Sequence, residues 1–247
     1  MTSTVDAKKL KEAISYEKKG DYELSDAIYL ILAEKGNAEA QWQFGMTMLD
    51  KDNKDNPTNK TALGWIEKSA AQGHPAALND LGGMYFNAWG IRRDYRKAME
   101  CFRQSARKGF NKAFYNVGLM YDEARGVKKD IDEAVRWYWL GVRRNNVASM
   151  CALADIYTYG PRKYRNKARA VRLMLRAART GDAHSQYHLA LYIERGIGCN
   201  KDHKKAMAWL RKSADKGFEE ARGALHWMWT RGEAGPGDEQ YAKAGAE

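Results

Sequence analysis

Four side chains able to bind a metal fall within one short stretch of the chain. His184 and His188 are four residues apart, so on a helix they would share one face, and Cys199 and His203 follow shortly afterwards. Histidine nitrogens and cysteine thiolates are common ligands of zinc in proteins. Their spacing matches no common zinc motif, however, and the sequence therefore predicts no metal site here.

Catalytic chemistry has no recognisable pattern in the sequence. No serine, cysteine or lysine has an evident base with an orienting partner, no glycine-rich loop follows a strand, and no carboxylate pair is specified. We therefore expect a chain without catalytic residues and without a cofactor.

Positive charge is concentrated in one segment. Between residues 156 and 181 there is no aspartate or glutamate, and arginines recur there at intervals of three or four residues. The spacing places them along one face of a helix. This basic face consists of Arg165, Arg169, Arg172, Arg176 and Arg179. Such a face is either a solvated surface or a site for an anionic partner, including nucleic acid.

The chain is organised as a unit of about 36 residues that recurs along its length. Aliphatic side chains return at this interval at Leu81, Val117, Leu153, Leu189 and Leu225. Small side chains return beside them at Gly82, Gly118, Ala154 and Ala190, and later in each unit at Ala62, Ala98, Ala134, Ala170 and Ala206. A fixed period of this length indicates a stacked repeat array. The small positions let two helices approach closely, and larger neighbours fill the remaining space.

Two polar columns predict where the second helix of each unit begins and ends. Short polar side chains that can cap a helix N-terminus stand at Asp21, Thr58, Asp94, Asp130, Asn166 and Asp202. Residues that readily adopt a left-handed conformation close the same segments at Gly36, Gly73, Gly109, Asn145, Gly181 and Gly217. Each unit is therefore predicted to contain helix A, a loop, a capped helix B and a left-handed stop.

These columns divide the chain into helical hairpins. Their predicted ranges are near 6–36, 37–73, 74–109, 110–145, 146–181 and 182–217, followed by a final helix at 218–231. One hairpin cannot bury its apolar face alone, so we expect a single array over residues 1–233. The small and polar residues 234–247 predict a flexible C-terminal tail.

The consensus A-x3-L-G-x2-Y, followed by G-[VI]-x2-D-x3-A-x2-W and a final glycine, resembles the Sel-one-like repeat (SLR), a relative of the tetratricopeptide repeat. One unit matches at Ala77, Leu81, Gly82, Tyr85, Gly90, Ile91, Asp94, Ala98 and Gly109. The next matches at Ala113, Val117, Gly118, Tyr121, Gly126, Val127, Asp130, Ala134 and Trp137. The resemblance implies an all-α, right-handed superhelix of six to seven helix-turn-helix repeats. It also implies a scaffold for protein complexes without catalytic activity.

In tetratricopeptide-like hairpins helix A lines a concave groove, and by analogy we expect the same here. Positions two residues before and after Leu81 would face that groove, as would the next turn and the equivalent positions of other units. The predicted partner-binding residues are Trp42, Met46, Asn79, Phe86, Tyr115, Leu119, Asp122, Asp155, Tyr187 and Glu194. Aromatic anchors with carboxylates suit a protein partner that presents basic or aromatic groups. Alternatively, some of the aromatic rings only pack between successive A helices.

Composition bounds the remaining possibilities. The 247 residues carry a formal net charge of +11 with a pI near 9.4, which raises nucleic acid or an anionic membrane as a partner. No apolar run is long enough for a membrane span, and the N-terminus has no signal-peptide core. The expected location is cytoplasmic, or periplasmic if a signal peptide has been removed. Three cysteines without paired spacing predict no disulfide framework.

The leading hypothesis is a non-catalytic scaffold that binds a partner protein in the groove of its A helices. Bacterial proteins that resemble this family often act as adaptors, and some are immunity proteins that neutralise a toxic effector. The alternative is binding of nucleic acid or an anionic surface through the basic face of residues 162–179. The two hypotheses differ in salt dependence, because nucleic-acid binding releases counterions and weakens steeply as salt is added.

Overall fold

The computed structural model describes residues 4–232, and every element of regular secondary structure in this range is an α-helix. The helices are α1 (Thr4–Lys18), α2 (Tyr22–Glu34), α3 (Ala38–Met48), α4 (Thr58–Ala71), α5 (Pro75–Asn87), α6 (Tyr95–Arg107), α7 (Asn111–Asp122), α8 (Ile131–Arg143), α9 (Val147–Tyr159), α10 (Lys167–Arg179), α11 (Ala183–Arg195), α12 (His203–Ala214) and α13 (Glu219–Thr230). Consecutive helices pack as hairpins, most extensively α3 with α4, α5 with α6, and α11 with α12. The predicted all-α fold of helical hairpins is confirmed.

The chain forms two compact units, and each is described by itself. Unit 1 comprises residues 1–137 and unit 2 comprises residues 138–247, so the division falls within α8. The single array expected over residues 1–233 stays a prediction, and the tail expected at 234–247 lies outside the described residues. Within residues 4–232, no helix is both long and apolar enough to cross a lipid bilayer.

Short polar side chains start the B helices, as the N-cap column predicts. Asp94 accepts hydrogen bonds from the backbone N–H groups of Arg96 and Lys97, each at 3.0 Å. The same kind of cap forms at Asp21, Asp130, Asn166 and Asp202. These bonds satisfy N–H groups that have no partner within the helix.

The N-cap role predicted for Thr58 is wrong. Thr58 is the first residue of α4, and its N–H and hydroxyl donate to Asn56 Oδ1 at 3.0 and 2.9 Å. Pro57 already has helical dihedral angles, so the polar side chain that turns the chain into the helix stands two residues earlier than the column suggests.

The predicted ends of the B helices are confirmed. All six positions of the stop column have a positive φ, from 59° at Asn145 to 94° at Gly181. In this region a Cβ is disfavoured, and asparagine tolerates it better than most other residues with a side chain.

In three of the repeats, one backbone hydrogen bond closes the loop between helices A and B. The N-cap residue of helix B donates its N–H to the carbonyl of a tyrosine near the end of helix A. The pairs are Asp94 with Tyr85 at 3.0 Å, Asp130 with Tyr121 at 3.1 Å, and Asn166 with Tyr157 at 2.8 Å. The third bond forms although the loop around Gly160 and Pro161 departs from the repeat consensus, so the closure does not require the usual loop sequence.

Buried serines connect helix B to the start of helix A within a hairpin. Ser105 in α6 is fully buried, and its Oγ donates to the carbonyl of Pro75, the first residue of α5, at 2.6 Å. Equivalent bonds join Ser69 to Ala38 at 2.6 Å and Ser213 to Ala183 at 2.7 Å. The three serines stand at multiples of about 36 residues, so they form a further column of the repeat.

The small column sets the distance between paired helices. A Cβ built at Gly82 in α5 would lie 2.7 Å from the Phe102 ring of α6 and 3.2 Å from the carbonyl oxygen of Ala98. At the equivalent position of the preceding hairpin, a Cβ at Gly45 would lie 2.8 Å from Ile66 Cγ1. Larger side chains do not fit at these positions unless the helices separate.

Replacement of Gly82 by leucine should destabilise the fold. The new side chain would overpack the α5–α6 interface, and the expected loss in the free energy of unfolding is about 1–3 kcal/mol. Chemical denaturation measures it. Gly64→Ala in α4 is the matched control, because no atom lies within 4 Å of a Cβ there. It should leave stability unchanged or raise it by up to about 1 kcal/mol. An equal loss in both variants would show that space at Gly82 is not the limiting factor.

Removal of the Ser105 hydroxyl should lower stability by about 1 kcal/mol, because a buried hydrogen bond between two helices is lost. Thermal and chemical unfolding of Ser105→Ala measure this change. Thr230→Ala is the control, since its exposed hydroxyl bonds only to the nearby Trp227 carbonyl. A Ser105→Ala protein as stable as the wild type would argue against a structural role for the serine column.

Candidate functional site

A small cleft on α5 and α7 of unit 1 brings together three of the predicted partner-binding residues. Its volume is about 280 Å³. We call it the Phe86 cleft, and it is lined by Lys51, Asn79, Asp80, Gly83, Phe86, Asn87, Trp89, Phe102, Asn116 and Leu119. Asn79, Phe86 and Leu119 were expected at a groove, whereas Asp80 and Asn116 were not. The missed pair carries a signal in the sequence, because Asn116 stands one repeat of about 36 residues after Asp80.

A run of side-chain hydrogen bonds crosses α3, α5 and α7 beside this cleft. Trp42 Nε1 donates to Asp80 Oδ2 at 2.7 Å, and Asn79 Nδ2 donates to Asp80 Oδ1 at 3.1 Å. Asn116 Nδ2 then donates to Asn79 Oδ1 at 2.8 Å. Charge-assisted bonds to a carboxylate are stronger than neutral ones, so Asp80 stabilises the cleft wall as well as lining it.

Two of the predicted partner-binding residues, Trp42 and Asn79, belong to this hydrogen-bond network. The indole N–H of Trp42 is bonded to Asp80, and its ring lies 5.4 Å from the ring of His74. Asn79 is only 6 % exposed. Trp42 therefore packs within the helical framework, which was the alternative considered for some of the aromatic rings, and Asn79 is buried in the same framework.

Other predicted residues of unit 1 keep partial exposure. Phe86 packs edge-on against Tyr95 at 5.3 Å and presents its remaining surface to the cleft. Tyr115 and Leu119 are half-buried on α7. Met46 packs against the core around α5 and also lines a separate cavity of about 370 Å³ beside α1, α2 and α3.

Asp122 is a half-buried carboxylate at the end of α7. Burial raises the pKa of Asp122 above its ordinary value, and the neighbouring charge of Lys129 acts in the opposite direction. Burial that raises the pKa of a carboxylate also raises the free energy of its charged form. A cation brought by a partner would relieve this cost.

The predicted residues of unit 2 do not share one cleft. Asp155 is exposed on α9, although surrounding protein still desolvates it and raises its pKa. Tyr187 on α11 packs against Phe218, with 5.4 Å between the ring centres. Glu194 accepts from, or pairs with, His203 Nδ1 at 3.1 Å. Each therefore has its own neighbours.

The histidines and the cysteine considered as metal ligands also lie in unit 2, but they do not form one cluster. His184 Nε2 lies 3.0 Å from His188 Nε2, whereas His203 faces Glu194. Among the described residues, no group of three or more potential ligands lies close enough together to hold a metal ion. Burial, followed by the charge of His184, lowers the pKa of His188.

Four arginines of the basic face, all except Arg165, lie on α10 and three of them line a second cleft. Arg165 stands before the N-cap Asn166, so the expectation that it shares the helix face is wrong. All five arginines of the basic face are exposed. Arg165 Nε donates to the Gly160 carbonyl at 2.9 Å, and Arg179 lies beyond the cleft. The cleft has a volume of about 530 Å³. We call it the arginine cleft, and it is lined by Trp139, Tyr157, Arg169, Arg172, Leu173 and Arg176.

The aromatic wall of the arginine cleft was missed in the sequence. Tyr157 belongs to the repeat consensus and reads as a core residue, while Trp139 lies two residues after the consensus tryptophan position at 137. A large aromatic residue outside the core column is the signal that could have identified it. Trp139 is 38 % exposed, which is unusual for a tryptophan.

Known proteins that resemble this chain contain the same kind of helical repeat. The Sel1 repeat model matches residues 54–74, 75–110, 112–139, 147–182 and 183–218, which is more than half of the chain. A Sel1 repeat protein from Oxalobacter formigenes is 25% identical with a TM-score of 0.80, over 95% of this chain and 96% of that one. The protective antigen c5321 of uropathogenic Escherichia coli, which displays an SLR fold, is 26% identical with a TM-score of 0.74. That match covers 96% of this chain and 51% of the antigen.

Two further similarities cover less of this chain. The immunity protein Pa5087 of Pseudomonas aeruginosa is 20% identical with a TM-score of 0.55, over 76% of this chain and 69% of that one. The mouse DAP3-binding cell death enhancer 1 is 31% identical over 84 residues, which is 34% of this chain and 16% of the mouse protein. The chain thus spans only a small part of this curated relative and about half of c5321. From the matched repeats and the shared helical hairpins, the chain belongs to the Sel1 repeat family and has the SLR fold.

Proposed function

We propose that this chain is a non-catalytic scaffold that binds a partner protein at the Phe86 cleft. The observation that carries the proposal is a preformed cleft whose apolar surface, Phe86 and Leu119, is bordered by oriented amides and a carboxylate. Binding pockets commonly combine apolar lining with a few fixed polar groups in this way.

The dimensions favour part of a protein over a cofactor. A volume of about 280 Å³ is just below the range of typical small-molecule sites. It would accept one large side chain of a partner, with Tyr115 and Asp122 on the same helix extending the contact. The hydrogen bonds that order Asp80, Asn79 and Asn116 hold the site in place before binding, which reduces the entropy lost on association.

A bacterial adaptor or an immunity protein is the more specific form of the proposal. Support comes from fold-level analogy, because immunity proteins of Pseudomonas aeruginosa share the helical-repeat architecture. In this role the chain would neutralise a toxic effector by covering part of its surface. Asp155, Tyr187 and Glu194 remain proposed contacts of unit 2 in such a complex.

Leu119→Glu should weaken partner binding at least about tenfold, because it replaces part of the apolar surface of the Phe86 cleft with a charged group. The partner is first identified by affinity capture from the source organism and then purified. Titration calorimetry with the purified partner measures the change in Kd, and a thermal melt confirms that the variant is folded.

The control for this variant is Tyr159→Glu. Tyr159 is 65 % exposed at the end of α9, so it carries the same new charge outside the cleft. It should bind like the wild type. If the folded Leu119→Glu protein also binds normally, the Phe86 cleft is not the interface.

The pH dependence of stability tests whether the Asp122 carboxylate serves binding instead of folding. Because its pKa is raised in the folded protein, the folded state holds its proton more strongly than the unfolded state. The contribution of Asp122 to stability is therefore lost as pH rises from the ordinary aspartate range through the raised pKa. Asp122→Asn should remove this loss, so that the variant is at least as stable as the wild type near neutral pH while binding a basic partner less well.

Asp50→Asn is the opposite control. Hydrogen bonds from Asn56 and from the backbone of Asn53 and Asp52 lower the pKa of Asp50, so its substitution should reduce stability near neutral pH. Denaturant unfolding between acidic and neutral pH measures both variants. Loss of stability in Asp122→Asn near neutral pH would show that the carboxylate has a structural role instead.

A further inference from the structure

The arginine cleft of unit 2 has a charged rim and an apolar wall. Arg169, Arg172 and Arg176 lie on successive turns of α10, while Trp139 and Leu173 supply the wall. No carboxylate lines the cleft, and residues 156–181 contain no aspartate or glutamate at all. Its positive charge is therefore uncompensated from within its own helix and the preceding loop.

The guanidinium groups do not all have the same role. Arg176 donates to the carbonyl of Val142 at 2.8 Å and to Asn145 Oδ1, which ties it to the end of α8. Across residues 4–232, the guanidinium groups of Arg169 and Arg172 make neither a hydrogen bond nor an ion pair. These two groups retain their donors for a ligand, beside an arginine whose position is already set.

Trp139 is held so that its ring, rather than its N–H, is available. Its Nε1 donates to the hydroxyl of Tyr157 at 3.1 Å, and Tyr157 is itself buried. The indole thus keeps its polar group satisfied within the protein while 38 % of the residue stays exposed. An exposed indole next to arginines can pack against an aromatic or aliphatic side chain.

We propose that the arginine cleft binds an acidic peptide segment that carries an aromatic or large aliphatic side chain beside its carboxylates. The planar guanidinium groups of Arg169 and Arg172 match the geometry of carboxylates and can each form two parallel hydrogen bonds. The apolar side chain of the segment packs against Trp139 and Leu173. The site lies outside the Phe86 cleft and does not depend on the function proposed for that cleft.

Charge placement favours a peptide over nucleic acid. Nucleic acids are held by a track of cations along successive phosphates. Here Arg165 is bonded to the Gly160 carbonyl and Arg176 to the end of α8. Arg179 lies outside the cleft, which leaves Arg169 and Arg172 as a local pair at its apolar wall. A local pair beside an apolar wall fits a short segment with both charge and hydrophobicity.

Fluorescence anisotropy with the full chain tests the proposal. The probe is a short fluorescein-labelled peptide with several aspartates around a single phenylalanine. Two comparison probes are the same peptide with serine in place of phenylalanine, and a labelled oligothymidylate of equal charge. We expect the phenylalanine peptide to bind most tightly at moderate salt.

Two double variants separate the cleft from general charge. R169A/R172A should weaken binding of the phenylalanine peptide about tenfold, because two charge-assisted contacts are lost. K167A/R179A removes the same charge from exposed positions of α10 outside the cleft, and should change binding less than about twofold. Trp139→Ala should abolish the preference for phenylalanine over serine. Circular dichroism and a thermal melt establish that each variant is folded.

The results that overturn the proposal are equally defined. Equal losses in the two double variants would mean that binding follows net charge alone. Equal affinity for the phenylalanine and serine peptides would exclude a role for the apolar wall. If neither peptide binds, the arginine cleft is not a site for acidic peptides. Tighter binding of oligothymidylate that is lost in R169A/R172A would identify the cleft as a nucleic-acid site instead.

Discussion

The structure depends on how closely the two helices of a hairpin approach each other. At Gly82 and Gly45 there is no room for a Cβ, because Phe102 and Ile66 of the partner helices occupy that space. This close contact buries the large side chains that surround the small column. It also brings Ser105 within hydrogen-bond distance of the first turn of α5. In the α3–α4 and α5–α6 hairpins, the small residue therefore permits both the apolar packing and the serine hydrogen bond.

Polar groups near these interfaces form a hydrogen-bond network between helices. Asp80 accepts hydrogen bonds from Trp42 and Asn79, and Asn116 extends the network to α7. Groups bonded in this way cost less to bury, but they have fewer donors and acceptors to offer a partner. In the function that we propose, recognition at the Phe86 cleft would depend mainly on the side chains that the network leaves partly exposed, above all Phe86 and Leu119. A rigid support for a few adaptable contacts is a common basis of specific binding.

The net charge of +11 for the whole chain does not indicate which charged groups line the two clefts. The Phe86 cleft is lined by amides, the carboxylate of Asp80 and the ammonium group of Lys51, whereas the arginine cleft has three guanidinium groups and no carboxylate. The charges that line the Phe86 cleft are therefore balanced, while those of the arginine cleft are all positive. Total charge affects long-range attraction and solubility, but the local arrangement of charged groups determines which ligand a surface accepts.

The sequence by itself determined the elements that rest on local interactions. The caps at Asp94 and the stop at Gly109 follow from contacts a few residues apart, so the column pattern is sufficient to place them. Thr58 shows the limit, since the N-cap of α4 is Pro57 and the N–H of Thr58 donates to Asn56 instead. Neither Trp42 with Asp80 nor Trp139 with Tyr157 could be inferred in this way, because each pair joins different helices and depends on the rotation of both. The period shows which face of a helix is apolar, but only tertiary packing decides which polar and aromatic side chains meet beside that face, and hence where the clefts form.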